Sequence, residues 1–388
     1  MTFLARSLKC TQEAAFTTLS HAPIRSTTPS LRRSSQAVQD FSTSSMLNSR
    51  GKCLVRKRAP VGSPGSRTAP QPQTLSLKRN SPTRATFATA KPRMAEPIVH
   101  HLFEPVTESW QYIVADPQTS KAVIIDPVLD YEAPKGTIST TSADAILDLV
   151  KQKGYHVELI LETHIHADHI TAASYIQSKL AETQDEKPHI GIGSRIKKTQ
   201  DLFGQRYNIS HEEYANVFDR LLKDDEEFHI GSLSARAIHL PGHTPDHMGY
   251  QVGSNVFVGD SIFHTDIGSA RADFPGGSAE AVWSSGRKLL SLPDDFKIWV
   301  GHDYPPKGRE PIPYVTIKQH REENKHLKDG TREEEFVKMR KERDRSLAAP
   351  RLLHPSLQMN IRGGRLPAPT SSGLRLVHLP LTVPVPAW

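Results

Sequence analysis

The apolar run VELIL at residues 157–161 breaks directly into ETHIHADHI at 162–170, which sets His164, His166, Asp168 and His169 within six positions. Packing gives no reason for this crowding, because His and Asp are poor core residues. Metal chemistry gives one: neutral imidazole and carboxylate are the ligands of zinc, iron and manganese. A run this short suits a buried strand, and ITAASYIQSKL at 170–180 reads as a helix. The cluster therefore occupies a strand-to-helix loop, where α/β folds place their chemistry.

The same signature recurs three times. His243 stands in HLPGHTPDH, Asp260 in VFVGDSIF and His302 in WVGHDY, each just past an apolar strand. Seven such groups at one end of the strands can converge on one or two ions. His189, His229 and His354 stand alone and read as surface or hydrogen-bonded residues. His247 and His264 lie near the cluster, but their spacing demands no metal. The two cysteines, Cys10 and Cys53, leave everything after residue 53 without a thiol. That excludes disulfides, Cys-ligated zinc, iron–sulfur clusters and a thiolate nucleophile from the folded part.

The overall charge of +7 misleads. Residues 1–95 hold 16 Lys/Arg against two acids, leaving 33 against 40 in the rest. The basic character thus belongs to a leader and marks no nucleic-acid-binding face. Arg-rich, Ser-rich and acid-poor, residues 1–95 are expected to be disordered and to act as a mitochondrial transit segment. Initiation at Met94 would give a cytosolic form. No apolar run approaches the length of a membrane-spanning helix.

In the rest, strands are expected at 111–115, 122–125, 157–161, around IGIG, and in EEFHI, LSARAIHL, MGYQV, VFVG and 298–300. Helices are expected from the Ser142 N-cap to Gly154, and over 196–203, 211–222, 279–290, 315–327 and 331–347. Alternation of strands and helices with tight hairpins points to mixed sheets flanked by helices. The catalytic domain is placed at 96–349. Residues 350–388, rich in Pro and Gly, are expected to be irregular.

H-x-H-x-D-H, G-H-T, an Asp after a hydrophobic strand and G-H-D-Y together resemble the metallo-β-lactamase superfamily over about residues 98–305. That resemblance implies an αββα sandwich (class α/β or α+β), two mixed β-sheets flanked by helices with the metal site at one edge. The stretches FVGDSIFHTDIGSARADFPGG, GHDYPPKGREP and EEFVKMRKERDRSLAAPRLLHPSLQMNIRGGRLP resemble the persulfide dioxygenase (sulfur dioxygenase) family, in its bacterial-type branch. The likeness covers roughly residues 96–385. It implies one Fe(2+) held by His164, His243 and Asp260, with His166, Asp168, His169 and His302 around it. It also implies oxidation of glutathione persulfide by O₂ to sulfite and glutathione. Arg271 is then the first choice to bind the glutathione carboxylates, and Tyr304 a hydrogen-bond donor near the metal. Arg271 pairing with Asp273 or Asp266 is the competing reading. The animal-type branch has Gly-Cys-Gly-Arg where this chain has Gly268-Ser269-Ala270-Arg271. With no cysteine of its own there, the chain would receive its persulfide from another enzyme; a homodimer is left open, the sequence being silent on oligomeric state. The alternative is a binuclear zinc hydrolase of glutathione thioesters, resembling hydroxyacylglutathione hydrolase. Two Zn(2+) would then sit on His164, His166 and His243, and on Asp168, His169 and His302, bridged by Asp260.

Overall fold

A computed structural model describes residues 96–383. The expected disordered leader, its import role and the Met94 start fall outside these residues. Along the chain run β1 (Ile98–Glu104), β2 (Ser109–Ala115), β3 (Lys121–Ile125), β4 (Val128–Glu132), β5 (Thr137–Ser139), α1 (Thr141–Lys153), β6 (His156–Leu161) and β7 (Ile170–Thr171). Then come α2 (Ala173–Ala181), β8 (His189–Gly193), α3 (Ile196–Arg206), α4 (His211–Tyr214), β9 (Arg220–Leu222), β10 (Glu227–Ile230), β11 (Leu233–His239), β12 (Met248–Val252) and β13 (Asn255–Phe257). The chain closes with α5 (Ala279–Leu290), β14 (Lys297–Trp299), β15 (Tyr314–Thr316), α6 (Ile317–Glu323), α7 (Glu333–Asp344) and α8 (Leu353–Asn360).

Two six-stranded sheets form, in the orders β1-β2-β3-β6-β8-β9 and β10-β11-β12-β13-β14-β15, with a small sheet β5-β4-β7. Both large sheets are mixed. β3, β6, β8 and β9 run parallel in the first, and β13 and β14 are the parallel pair in the second. The period-two alternation of strand side chains explains the layers. In β2, Tyr112 and Val114 join the core between the sheets, while Ile113 and Ala115 face the core under α1, α2 and α3. β3 divides in the same way, Val123 and Ile125 against Ala122 and Ile124. A sheet buried on both faces reads as an unbroken apolar run, as these strands do. Val282, Leu289, Ile317 and Phe336 bring α5, α6 and α7 against the second sheet. The αββα sandwich is thus the fold.

Four expectations need correction. Ser142 does not cap α1; it lies inside the helix, and Asp130 of β4 accepts its backbone N–H at 2.9 Å and its hydroxyl at 2.7 Å. The helix expected over 211–222 stops at Tyr214, because Asn216 takes a left-handed φ of 54° and Arg220–Leu222 pairs with β8. The helix expected from 315 begins at Ile317, after Tyr314–Thr316 has joined β14; Thr316 supplies a capping box. The tail expected to be irregular from residue 350 opens with α8, which is buried from Pro355 to Asn360. Among the described residues no helix is long and apolar enough to cross a membrane.

Candidate metal centre

Each candidate ligand sits just past the C-terminal end of a strand: the HIHADH loop after β6, His243 after β11, Asp260 after β13 and His302 after β14. The sandwich brings these ends to one edge. Ligand-type atoms of His164, His243 and Asp260 lie within 4.8 Å of one another, as do those of Asp168, Asp260 and His302. Tight backbone makes the room. A Cβ on Gly301 would lie 2.6 Å from Asp260 Oδ1, so only glycine lets the strand β14 loop approach that carboxylate.

Hydrogen bonds fix which nitrogen each imidazole presents. His243 Nδ1–H donates to the Arg271 carbonyl at 2.9 Å, which leaves the Nε2 lone pair facing Asp260 Oδ2 at 3.7 Å. Thr163 donates its hydroxyl to Asp126 Oδ2 and so accepts from His164 Nδ1–H at 3.0 Å, again freeing Nε2. Burial, reinforced by His166, His247 and His243, pushes the His164 pKa well down and keeps it neutral, the form that ligates metal. His247 stacks on His164 with centroids 4.7 Å apart, and its Nε2 accepts the Asp260 backbone N–H at 3.0 Å. It braces the backbone of Asp260.

His302 behaves differently. Its Nδ1–H donates to the Glu108 carbonyl at 3.1 Å, and its Nε2 lies 3.0 Å from Asp168 Oδ2 and 3.5 Å from Asp260 Oδ1. Burial would lower its pKa, but Asp260 and Asp168 raise it to about 10. His169 contacts the same Asp168 oxygen through Nδ1 at 3.2 Å.

Four buried polar atoms at this edge lack a partner: His164 Nε2, His166 Nδ1, His169 Nε2 and Asp260 Oδ1. Leaving them unpaired costs on the order of 1–3 kcal/mol each. A cation is the natural occupant, since all four are acceptors or can become so. The donor set therefore fits a metal.

Sequence reasoning missed four contributors. Asp126, at the end of β3, accepts from Thr163 N–H at 2.7 Å and from His166 Nε2 at 3.1 Å. Glu162 shares that imidazole at 3.2 Å. Burial alone would lower the His166 pKa, yet Asp126 and Glu162 raise it well above its ordinary value. Asn360 and Arg343, from the tail and α7, are the other two. Asp126 carries the same signature as Asp260, an apolar strand ending in Asp, and could have been found by it.

A cavity of about 420 Å³ opens over the centre, lined by Asp168, His243, Asp260, Phe263, Tyr304 and Arg343 among others. Tyr304 stacks on His302 at 5.5 Å, 42% exposed, so the tyrosine forms a wall of the cavity. Arg271 grips Asp273 with two 2.6 Å hydrogen bonds and donates to the Ala348 carbonyl at 2.8 Å. The geometry shows Arg271 paired with Asp273, and Arg271, Arg343 and Arg351 all line the cavity.

Residues 105–302 match the Metallo-beta-lactamase superfamily. The chain is 44% identical over 290 residues to a "Beta-lactamase hydrolase-like protein" of Agrobacterium fabrum, covering 74% of this chain and 66%, just under two thirds, of that protein. It is 45% identical over 274 residues to "Glyoxylase B2" of Dictyostelium discoideum, covering 70% and 92%. At 28% over 245 residues, covering 62% and 80%, it is similar to "Persulfide dioxygenase ETHE1, mitochondrial" of Homo sapiens. Among solved structures, ETHE1 from Myxococcus xanthus superposes with a TM-score of 0.55 at 26% identity, covering 69% of this chain and all of that one. Sequence, fold and the placement of the ligand-type residues agree, and the chain belongs to the metallo-β-lactamase superfamily.

Proposed function

We propose that the chain is an iron-dependent dioxygenase that oxidises glutathione persulfide to sulfite. One observation carries this reading. Two imidazole nitrogens and one carboxylate, from His164, His243 and Asp260, converge at the floor of a cavity that Arg343 and Arg351 also line. Two imidazoles and a carboxylate are the donor set that leaves open positions on iron(II). Iron held there would let a soft sulfur donor and dioxygen react side by side. The likeness to ETHE1 proteins, in sequence and in fold, supports the same reading.

The residues around the centre have distinct tasks in this reading. Arg343, which enters no ion pair among the described residues, and Arg351 supply positive charge for the glutathione carboxylates. Glu108 supplies negative charge for the ammonium group. Phe263 and Tyr304 exclude water from the sulfur. His302, held by Asp168 and Glu108, offers a proton at Nε2 to the departing thiolate. The overall change is GSSH + O₂ + H₂O → GSH + SO₃²⁻ + 2 H⁺; the S–S bond breaks, and four electrons pass from sulfur to dioxygen. On the composition of residues 1–95, we place this reaction in the mitochondrial matrix.

A second reading rests on the other orphaned atoms. Asp260 Oδ1 faces His302 while Oδ2 faces His243, and His166 Nδ1 and His169 Nε2 are unpartnered. Two zinc ions held by that set would supply hydroxide for hydrolysis of a glutathione thioester, in keeping with the hydrolase-like name of the relative at 44% identity. Metal analysis of anaerobically purified protein, with an oxygen electrode and glutathione persulfide, separates the two. Near-stoichiometric iron and O₂ uptake matched by sulfite are expected. Two zincs per chain, with thioester hydrolysis and no O₂ uptake, would reverse the choice.

A further inference from the structure

The HIHADH loop is braced by a residue more than 190 positions away. Asn360, the last residue of α8, is 1% exposed. Its Nδ2 donates one hydrogen to the His166 carbonyl and the other to the His169 carbonyl, both at 2.8 Å. Its Oδ1 accepts the Thr171 backbone N–H at 2.9 Å. One planar amide thus ties three points of the loop, using both donors. Two carbonyls three residues apart are met by the two hydrogens of one amide, which a single carboxamide side chain supplies.

The residues that follow Asn360 are anchored in turn. Gln200 of α3 donates to the Ile361 carbonyl at 2.8 Å. Arg362 donates to Glu213 through Nε and Nη2, at 3.0 and 2.8 Å. Just beyond, Gly364 at φ 80° packs so close to the Thr171 carbonyl that a Cβ would come within 2.6 Å of it. α8 therefore docks as a fixed plug against β7, and its final side chain sets the shape of the loop.

We propose that Asn360 is a positioning residue for the metal centre: it sets the carbonyls of His166 and His169, and thereby the directions of Asp168 and His169 against His302. It touches neither metal nor substrate. This role is independent of whether the centre works as a dioxygenase or a hydrolase, because it concerns the loop both readings share. It also assigns a task to the segment past residue 302, where the superfamily match ends.

The test compares three full-length proteins: wild type, Asn360→Asp and Gln358→Leu. Asn360→Asp keeps the acceptor for Thr171 but turns an oxygen toward two carbonyls. Gln358 lies on the same helix, is equally buried, and its side chain bonds only the backbone of His354 and His378, so it controls for general damage to α8. Each protein is loaded with Co²⁺. Its visible spectrum and its rate of metal loss to a chelator are recorded beside its thermal unfolding. Expected are an altered d–d spectrum and roughly 10–100-fold faster metal loss for Asn360→Asp, the range found when groups supporting ligands are removed. Gln358→Leu keeps the wild-type spectrum even if its unfolding temperature falls. A wild-type spectrum and metal-loss rate in Asn360→Asp, or equal changes in both variants, would overturn the assignment.

Discussion

Asp126→Ala tests how the loop is held from inside the sheet. The carboxylate is 4% exposed and accepts three hydrogen bonds: Thr163 N–H at 2.7 Å, Thr163 hydroxyl at 2.8 Å and His166 Nε2 at 3.1 Å. Removing it strands the Thr163 N–H entirely. His166 keeps one carboxylate, Glu162 at 3.2 Å, and the Thr163 hydroxyl loses its acceptor while still accepting from His164 Nδ1–H at 3.0 Å. One lost backbone bond and one broken buried ion pair cost about 3–5 kcal/mol together. Asp126→Asn can keep Oδ1 for both Thr163 N–H and His166; it loses the charge and the Oδ2 acceptor of the Thr163 hydroxyl, about 1–2 kcal/mol.

The pH dependence has a definite sign. Burial pushes the Asp126 pKa up, but His166 and the Thr163 hydrogen bonds bring it below 3.8. Its share of stability is present above 3.8 and is lost as pH falls through the lower folded value. The His166 pKa is raised above 6.5, so its share is complete below 6.5 and is lost as pH rises through the higher folded value. Chelator-treated wild type should therefore show its largest benefit from the pair between 3.8 and 6.5. Urea unfolding at pH 5.5, with the slope m unchanged, measures the loss as a shift in midpoint. A loss below about 1 kcal/mol for Ala, or equal losses for Ala and Asn, would refute the reasoning, because it would mean the bonds to Thr163 and His166 carry no weight.

Asp260→Ala should abolish metal retention, whereas His302→Ala should keep metal and slow turnover by roughly 10–100-fold; equal metal loss in both favours the two-zinc reading. Arg343→Ala should raise KM for a glutathione-bearing substrate on the order of tenfold with little change in kcat. Arg271→Ala should chiefly lower the unfolding temperature, because it releases Asp273 and Ala348 and touches no unpaired anion. Arg340 and Asp344, 2% and 8% exposed, form a buried pair at 2.5 Å that also bonds the Ser269 carbonyl and Ala272 N–H. Either Arg340→Met or Asp344→Leu alone should cost roughly 3–5 kcal/mol, and a double-mutant cycle should show the second change adding far less than the first.

The clustering of the candidate ligands was legible in sequence because it combines two independent patterns. Strand periodicity places each His or Asp at a strand end, and the crowding of acceptors at 164–169 has no packing rationale. The supports of that set were not legible, and the reasons differ. Asp126 carried the right signal, an Asp closing an apolar strand, but one side chain per loop looks the same whether it turns the chain or braces a histidine. Arg271 stood two residues from Asp273, and only coordinates decide whether a guanidinium answers its neighbour or the cavity. Asn216 interrupts a stretch with helical periodicity, and its left-handed backbone has no signature beyond residue type.

α8 is the most instructive failure, because its burial erased the clue. Amphipathic reading works when one face meets water. Pro355 to Asn360 are buried on every side, polar Ser356, Gln358 and Asn360 included, so no stripe exists to find. Buried polar residues are retained at a cost unless they find partners. Asn360 finds its partners in backbone carbonyls, which every residue possesses and which therefore leave no mark on the sequence of the loop they belong to. A site held by side chains can be read from those side chains; a site held through its main chain can be read only from the distant residue that holds it, once the fold has brought the two together.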